Sequence, residues 1–217
     1  MVNVGGETMC SPFFCPRISR MFNFYLLLFT SYINCIIEKL YLCGMNLRLR
    51  AVEISDANLL YEWENTFSLW GVSSTRAPFS RYAIEDYVKN AQNDDIYSVK
   101  QMRFMIDCEE NGVVETVGCV DLYDLEPQYL RAGVGIFIAE GGFRRKQIAY
   151  NSLQWIWNYA TNILNLHQLY AYVTEDNIPS CNLFEKAEYK KTATLKNWIK
   201  KGNNYFDVFV YQKINNH

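Results

Sequence analysis

The stretch Gly142-Phe143-Arg144-Arg145-Lys146-Gln147-Ile148-Ala149 lies between an alternating apolar run and a run with helical spacing. A loop that feeds a helix N-terminus presents unpaired backbone N–H groups and the positive end of the helix dipole, which suits a pyrophosphate. Arg144, Arg145 and Lys146 add three positive charges where such an anion would sit, although three basic residues in a loop can equally be solvated surface. Other phosphate motifs fail. Gly133-Val134-Gly135 begins a GxG, but Ile138 stands where the third glycine should be and the pair lies inside a strand; no GK[ST] occurs.

A second stretch able to do chemistry is Asp176–Lys186, with the hydroxyl of Ser180 one residue after Pro179. That hydroxyl could protonate a leaving group, or it could satisfy the first turn of a helix. Two carboxylates, Asp121 and Asp124, fall on or just after an apolar run and could accept a proton or form a turn. Metal chemistry finds no support: there is no CxxC, and His167 and His217 are far apart with no clustered partner.

Elements must position these residues. Asn46–Val52 alternates polar and apolar and predicts a strand, with Ser55-Asp56 opening a helix over Ala57–Phe67 and a second helix over Ser80–Asn90. Met102–Cys108 and Val113–Leu122 read as strands joined through Asn111-Gly112, the strongest short hairpin signal. Leu130–Ile138 is a further strand. The helix after Gln147 carries Ala149, Leu153, Ile156, Trp157, Ala160 and Leu164 at helical spacing. A strand over His167–Thr174, a short helix over Pro179–Lys186, and strands Tyr189–Trp198 and Tyr205–Ile214 complete the order. The pattern predicts a mixed α/β sheet with a strand–loop–helix unit at its centre.

The chain has 217 residues and a formal charge of −2, enough for one domain and without the basic footprint that nucleic-acid binding requires. Its seven cysteines are odd in number and scattered, the pattern of a cytoplasmic protein. Residues 21–37 form an apolar run behind Arg17 and Arg20, but no small-x-small cleavage site follows and the run falls short of the ~20 residues a spanning helix needs. Those features argue against a membrane anchor. Met45 is followed directly by a strand, so residues 1–44 are expected to be a non-core extension and 45–217 the domain.

Phe137–Ala149 resembles the pyrophosphate-binding signature of the GNAT N-acetyltransferases, Arg/Gln-x-x-Gly-x-Gly/Ala at the start of the main helix. Arg144 and Ala149 match it, whereas Gln147 stands where many relatives carry glycine. Asp176-Asn177-Ile178-Pro179-Ser180-Cys181-Asn182-Leu183-Phe184-Glu185-Lys186 is similar to the family's Asn-x-x-Ser-x-x-Leu-Tyr/Phe-Glu-Lys motif. Leu164–Tyr170 resembles the linking segment of the spermidine and ribosomal-protein N-acetyltransferase branch. The similarity covers about Asn46 to Ile214, essentially the whole core.

The resemblance implies a GNAT-like α/β fold: a mixed, mostly antiparallel central sheet, splayed at one point and flanked by helices, with acetyl-CoA as co-substrate in the gap. Phe137, Ile138 and Ala139 would pair with the pantetheine. Arg144, Arg145, Lys146, Gln147, Ile148 and Ala149 would wrap the pyrophosphate, and Asn177 would contact the CoA arm. A strand N–H near Ile138 would polarise the thioester. Phe184 replaces the tyrosine that serves spermidine acetyltransferases as acid, which leaves Ser180 in that role and Asp121 as a base. The acceptor would be a polyamine-like amine or a protein N-terminus. Between Ala51 and Asp95 eight acidic residues face three basic ones, which either attracts a cationic acceptor or is an ordinary helix surface. Trp63 and Trp70 either flank that acceptor or belong to the core. Gln147 and Phe184 together leave open a CoA-binding module that does not turn over. Late edge strands would suit a homo-oligomer.

Overall fold

In the computed structural model, residues 46–70, 75, 77–93, 95–110, 112–139 and 147–216 are described. The apolar run at residues 21–37 and the basic residues Arg144, Arg145 and Lys146 lie outside them. Alternating side chains make seven strands: β1 (Asn46–Ala51), β2 (Met102–Glu110), β3 (Val113–Glu126), β4 (Arg131–Ile138), β5 (Gln168–Thr174), β6 (Lys190–Lys201) and β7 (Asn204–Ile214). They form one mixed sheet in the order β1-β2-β3-β4-β5-β7-β6, antiparallel everywhere except between β4 and β5. Among the described residues four helices flank it: α1 (Ala57–Asn65), α2 (Arg81–Asn93), α3 (Ile148–Asn162) and α4 (Ile178–Lys186). A single helical turn, Ile96–Val99, was not legible in the sequence. Among the described residues no helix is long and apolar enough to cross a membrane.

The two faces of the sheet bury different things. On one, Met105 of β2 and Cys119 of β3 pack with Leu60 of α1 and Ile84 and Val88 of α2, and Trp63 and Phe137 close over them. On the other, Phe104 meets Trp155 and Tyr159 of α3 edge-on at 5.0 and 5.2 Å. The buried stripe of α3 is Ile148, Ser152, Leu153, Ile156 and Ala160, so Ile148 and Ser152 join the expected stripe while Trp157 rotates to its margin, beneath the Lys213 ammonium.

One ionic hub ties the first strand to the rest. Arg50 of β1 donates from Nε to Asp107 at 2.7 Å and from Nη1 and Nη2 to Asp56 at 2.7 and 2.9 Å, and Nη2 also reaches Thr116 Oγ1 at 3.1 Å. Burial pushes the Asp56 carboxyl up, but Arg50 and the Glu53 backbone N–H outweigh it and hold the group below the ordinary carboxylate range. The expected cap of α1 is thus satisfied differently: Asp56 is spent on Arg50 and on the Glu53 N–H at 2.7 Å.

Candidate active site

Strand β4 has two hydrogen-bonding edges, and each faces a different neighbour. The Ala139 N–H donates to the Val117 carbonyl at 2.9 Å, so the peptide groups of odd-numbered residues address β3. The Leu130 carbonyl accepts from the N–H groups of His167 and Gln168 at 2.6 and 3.2 Å, so those of even-numbered residues address β5. Pairing with β5 is confined to Arg131↔Gln168, Ala132↔Leu169 and Gly133↔Tyr170. Beyond Tyr170, β5 follows β7 instead, through Thr174↔Val208. The peptide groups of Val134 and Ile136 therefore point into a wedge between diverging strands.

Helix α3 follows β4 in the chain, and among the described residues no side chain caps its N-terminus. The first-turn amides are thereby available to an anion. Gln147, the N-cap, has φ 62° and ψ 5°, in the left-handed region where glycine is at home. That backbone conformation gives the physical reason for glycine at this place in the GNAT signature. The Gln147 side chain is not idle: its Oε1 lies 3.5 Å from the ammonium of Lys186, which also sits 4.8 Å over the Tyr150 ring. A cation is thus held beside the N-terminus of α3.

Across the wedge, Asn177 caps α4, its Oδ1 accepting from the Ser180 N–H at 3.3 Å. Capping therefore belongs to Asn177, and the Ser180 hydroxyl makes no hydrogen bond among the described residues. Phe184 is buried, edge-on to Tyr189 at 5.2 Å and stacked at 6.1 Å on Tyr211.

Asp121 lies on the face of α1 and α2, in register with Gly135. Both of its oxygens accept from Arg103, at 2.7 Å from Nε and 2.8 Å from Nη2. Arg103 reaches Glu64 at 3.4 Å through Nη1 and lies 5.5 Å over the Tyr87 ring. Burial raises the Tyr87 hydroxyl and the Cys119 thiol to about 12 each, so both are neutral and Cys119 is no nucleophile. Asp124 is exposed, at φ 47°, with Oδ2 accepting from the Tyr170 hydroxyl at 3.3 Å. Arg103, Glu64 and Tyr87 did not figure as site residues in the sequence, yet there was a signal: Arg103 stands among the apolar residues Met102, Phe104, Met105 and Ile106, where a charge demands a partner.

The wedge fits an extended arm that bears amides and ends in phosphate: strand edge along its length, uncapped helix N-terminus at its mouth. The model for the acetyltransferase (GNAT) domain matches residues 46–190. The chain belongs to the GNAT acetyltransferase family. Membership makes it an acetyl-CoA-dependent N-acetyltransferase, with acetyl-CoA as co-substrate and an amine as acceptor. Among solved structures, the spermidine N-acetyltransferase of Vibrio cholerae in complex with CoA and spermine is similar, with a TM-score of 0.67 and 22% identity over 77% of this chain and 95% of that one. A dodecameric structure of the Vibrio cholerae enzyme in an intermediate state gives a TM-score of 0.62 and 23% identity over 77% and 93%. A search of curated proteins found no match. Of the candidate GNAT site residues, β4 and α3 bring Ile138, Gln147, Ile148 and Ala149 to one side of the wedge, and α4 carries Asn177 and Ser180 on the other; the peptide groups of Phe137 and Ala139 address β3 instead, the Ala139 N–H donating to the Val117 carbonyl, so these two do not offer their backbone to the wedge as the resemblance implied. Asp121 stands apart from these, on the sheet face shared with Trp63 and Phe137. Trp63 meets Phe137 edge-on at 5.5 Å.

Proposed function

We propose that this GNAT enzyme acetylates a small, cationic, polyamine-like amine. The observation that carries this reading is the wedge between β4 and β5, open past Gly133↔Tyr170, with the uncapped N-terminus of α3 at its mouth. Bound acetyl-CoA supplies an activated thioester. The β4 peptide groups that face the wedge hold the pantetheine extended, and an N–H near Ile138 faces the thioester oxygen, a preorganised donor where negative charge develops. Gln147, Ile148 and Ala149 offer their amides to the pyrophosphate, with Lys186 and the neighbouring Arg144, Arg145 and Lys146 supplying charge. Asn177 fixes the first turn of α4 against the arm.

The neutral amine nitrogen forms a bond to the carbonyl carbon, the carbon–sulfur bond breaks, and the nitrogen's proton ends on the sulfur. Ser180 is the group we assign to deliver a proton there. Asp121 enters as the anchor of Arg103; it could serve as a base only after its two hydrogen bonds open. The cationic acceptor is supported by the surface of α1 and α2, where Glu62 and Asp86 are exposed and Glu64 stays partly accessible beside Arg103, even though Asp56 is drawn into an internal ion pair. The similar fold of an enzyme solved with spermine adds support.

Release of CoA thiol, measured with spermidine, spermine, aminoglycosides and N-terminal peptides, tests this directly. Turnover confined to the polycationic amines is expected. Turnover only with peptides would move the acceptor to protein N-termini. Acetyl-CoA binding with no turnover of any amine would favour the CoA-binding module that Phe184, in its aromatic stack, keeps in play.

A further inference from the structure

Three charged groups meet on the acceptor-facing side of the sheet: Glu64 at the end of α1, Arg103 of β2 and Asp121 of β3. Their positions are tied to the wedge. Asp121 is in register with Gly135, and Cys119, two residues earlier on the same face, with Phe137; both partners belong to the part of β4 that β5 has left. Trp63, next to Glu64 in the chain, lies edge-on to Phe137 at 5.5 Å. The cluster therefore sits beside the strand segment that addresses the thioester.

Its two carboxylates are held very differently. Asp121 receives two short, forked hydrogen bonds from Arg103, the strong bidentate geometry, at 2.7 and 2.8 Å. Among the described residues, the side-chain contacts of Glu64 are long, 3.4 Å from Arg103 Nη1 and 3.3 Å from Thr75 Oγ1, at the weak end of hydrogen bonding. Charge completes the contrast. Arg103 neutralises Asp121, and the other titratable groups facing the cluster, Tyr87 of α2 and Cys119 of β3, are neutral because burial raises both to about 12. Among the described residues, one negative charge is left over, and it belongs to Glu64. A half-buried carboxylate without a full counter-charge is costly unless a cation joins it. With 27% of its side-chain surface accessible, Glu64 can be reached from solvent, whereas Arg103 is 13% accessible.

From this geometry we infer that Glu64 is the catalytic residue that binds the acceptor's ammonium and takes its proton, an assignment that rests on the acetyltransferase reading. Its carboxylate removes one proton from R–NH3+ to give R–NH2. The nitrogen lone pair then forms the C–N bond, the C–S bond breaks, and the nitrogen's second proton passes to the sulfur. The proton on Glu64 leaves to solvent. Asp121 is a positioning residue: it clamps Arg103, and Arg103 orients Glu64 without neutralising it.

The test is steady-state kinetics on the full chain with spermidine as acceptor, comparing wild type with Glu64→Gln and Glu64→Asp. Glu64→Gln should lower kcat/KM for spermidine by about 10²-fold or more, the scale of general base catalysis. It should leave calorimetric CoA affinity within about twofold, since such a role touches only acceptor chemistry. The acid limb of the kcat/KM–pH profile should disappear in Glu64→Gln and persist in Glu64→Asp, which keeps a carboxylate and should retain more activity. A Glu64→Gln enzyme within about threefold of wild type across the pH range overturns the assignment by the same yardstick. Should Glu64→Gln fail to fold, Glu64→Asp decides: unchanged kcat/KM overturns the inference, and a fall with CoA affinity intact supports it. If wild type binds CoA but acetylates neither spermidine nor any other amine in the panel, the acetyltransferase reading fails and Glu64's role falls with it.

Discussion

Gln147 holds a left-handed backbone at the start of α3, and replacing it isolates what that conformation costs. An L-residue in this region is destabilised by ~1–2 kcal/mol relative to the right-handed conformation. Glycine escapes that penalty but gives up ~0.5–1 kcal/mol more backbone entropy on folding. The balance favours glycine by about 0.5–1 kcal/mol, which for a chain of this size raises Tm by about 1–4 °C. The side chain complicates a direct comparison, because Gln147 Oε1 lies 3.5 Å from Lys186 Nζ. Gln147→Ala loses that contact while keeping the penalty, so it is the proper reference. Thermal denaturation should place Gln147→Gly above Gln147→Ala by the stated margin, with wild type between them or level with alanine. A glycine variant that melts at or below the alanine variant would show that the left-handed cap is not what this position requires. The same pair reports on function: without a Cβ the loop approaches phosphate more closely, so KM for acetyl-CoA should fall in Gln147→Gly relative to Gln147→Ala.

Arg50→Ala leaves Asp56 and Asp107 as buried carboxylates without their cation and should cost about 3–5 kcal/mol, read from urea midpoints. The pH dependence follows from the same hub: the Asp56 carboxyl is held below its unfolded value, so its stabilisation is complete above about pH 5 and drains away as pH falls through the folded value. Urea midpoints at pH 7, 5 and 3 should show that loss, and Asp56→Asn should flatten it. In Gly118→Ala the new Cβ would overlap the Phe137 carbonyl oxygen, which is backbone and cannot swing aside. That overpacking should cost about 1–3 kcal/mol and, by pushing β4 off register at the reacting segment, lower kcat more than it raises KM for acetyl-CoA.

The sheet was legible because each strand carries its own alternation, and the hairpin between β2 and β3 carries its own turn residues, with Gly112 at φ 78°. Neighbouring strands followed from short connections. What could not be read was where β5 would leave β4. Nothing in Leu130–Ile138 or His167–Thr174 announces that pairing ends at Gly133↔Tyr170, because the divergence is set by β5 pairing along its whole length with β7, thirty or more residues downstream. The phosphate-binding helix start was legible from residue types, yet the left-handed φ of Gln147 was hidden behind a residue that does not usually adopt it. Asp121 was visible as a carboxylate near the end of a strand; its role depends on Arg103, eighteen residues earlier and in register only once the hairpin has formed. Eight acidic residues over Ala51–Asp95 looked like one surface, but Asp56 is buried against Arg50 of β1, while Glu64 stays partly accessible beside Arg103 of β2. Long-range register, invisible in any local window, separates structural from available charge.

The acid is the part of the reaction this chain could most easily do without. A thiol's ordinary pKa is ~8.5, so a CoA thiolate leaves far more readily than an alkoxide or an amide nitrogen would. Phe184 removes the hydroxyl that spermidine acetyltransferases would be expected to use, and its neighbours do not replace it. Tyr211 already donates to Glu185 at 3.0 Å. Tyr189 is buried, its hydroxyl raised by desolvation and unpaired among the described residues, in surroundings that disfavour giving up a proton. Ser180 remains, half-buried on α4, released from capping by Asn177. Ser180→Ala should therefore lower kcat by about 10²-fold, the lower end of general acid catalysis, while leaving α4 intact because the backbone N–H at this position still reaches Asn177. Measured on the good leaving group of acetyl-CoA, a loss within about threefold would mean that the thiolate departs unassisted, and that catalysis here is positioning, a strand amide and a base.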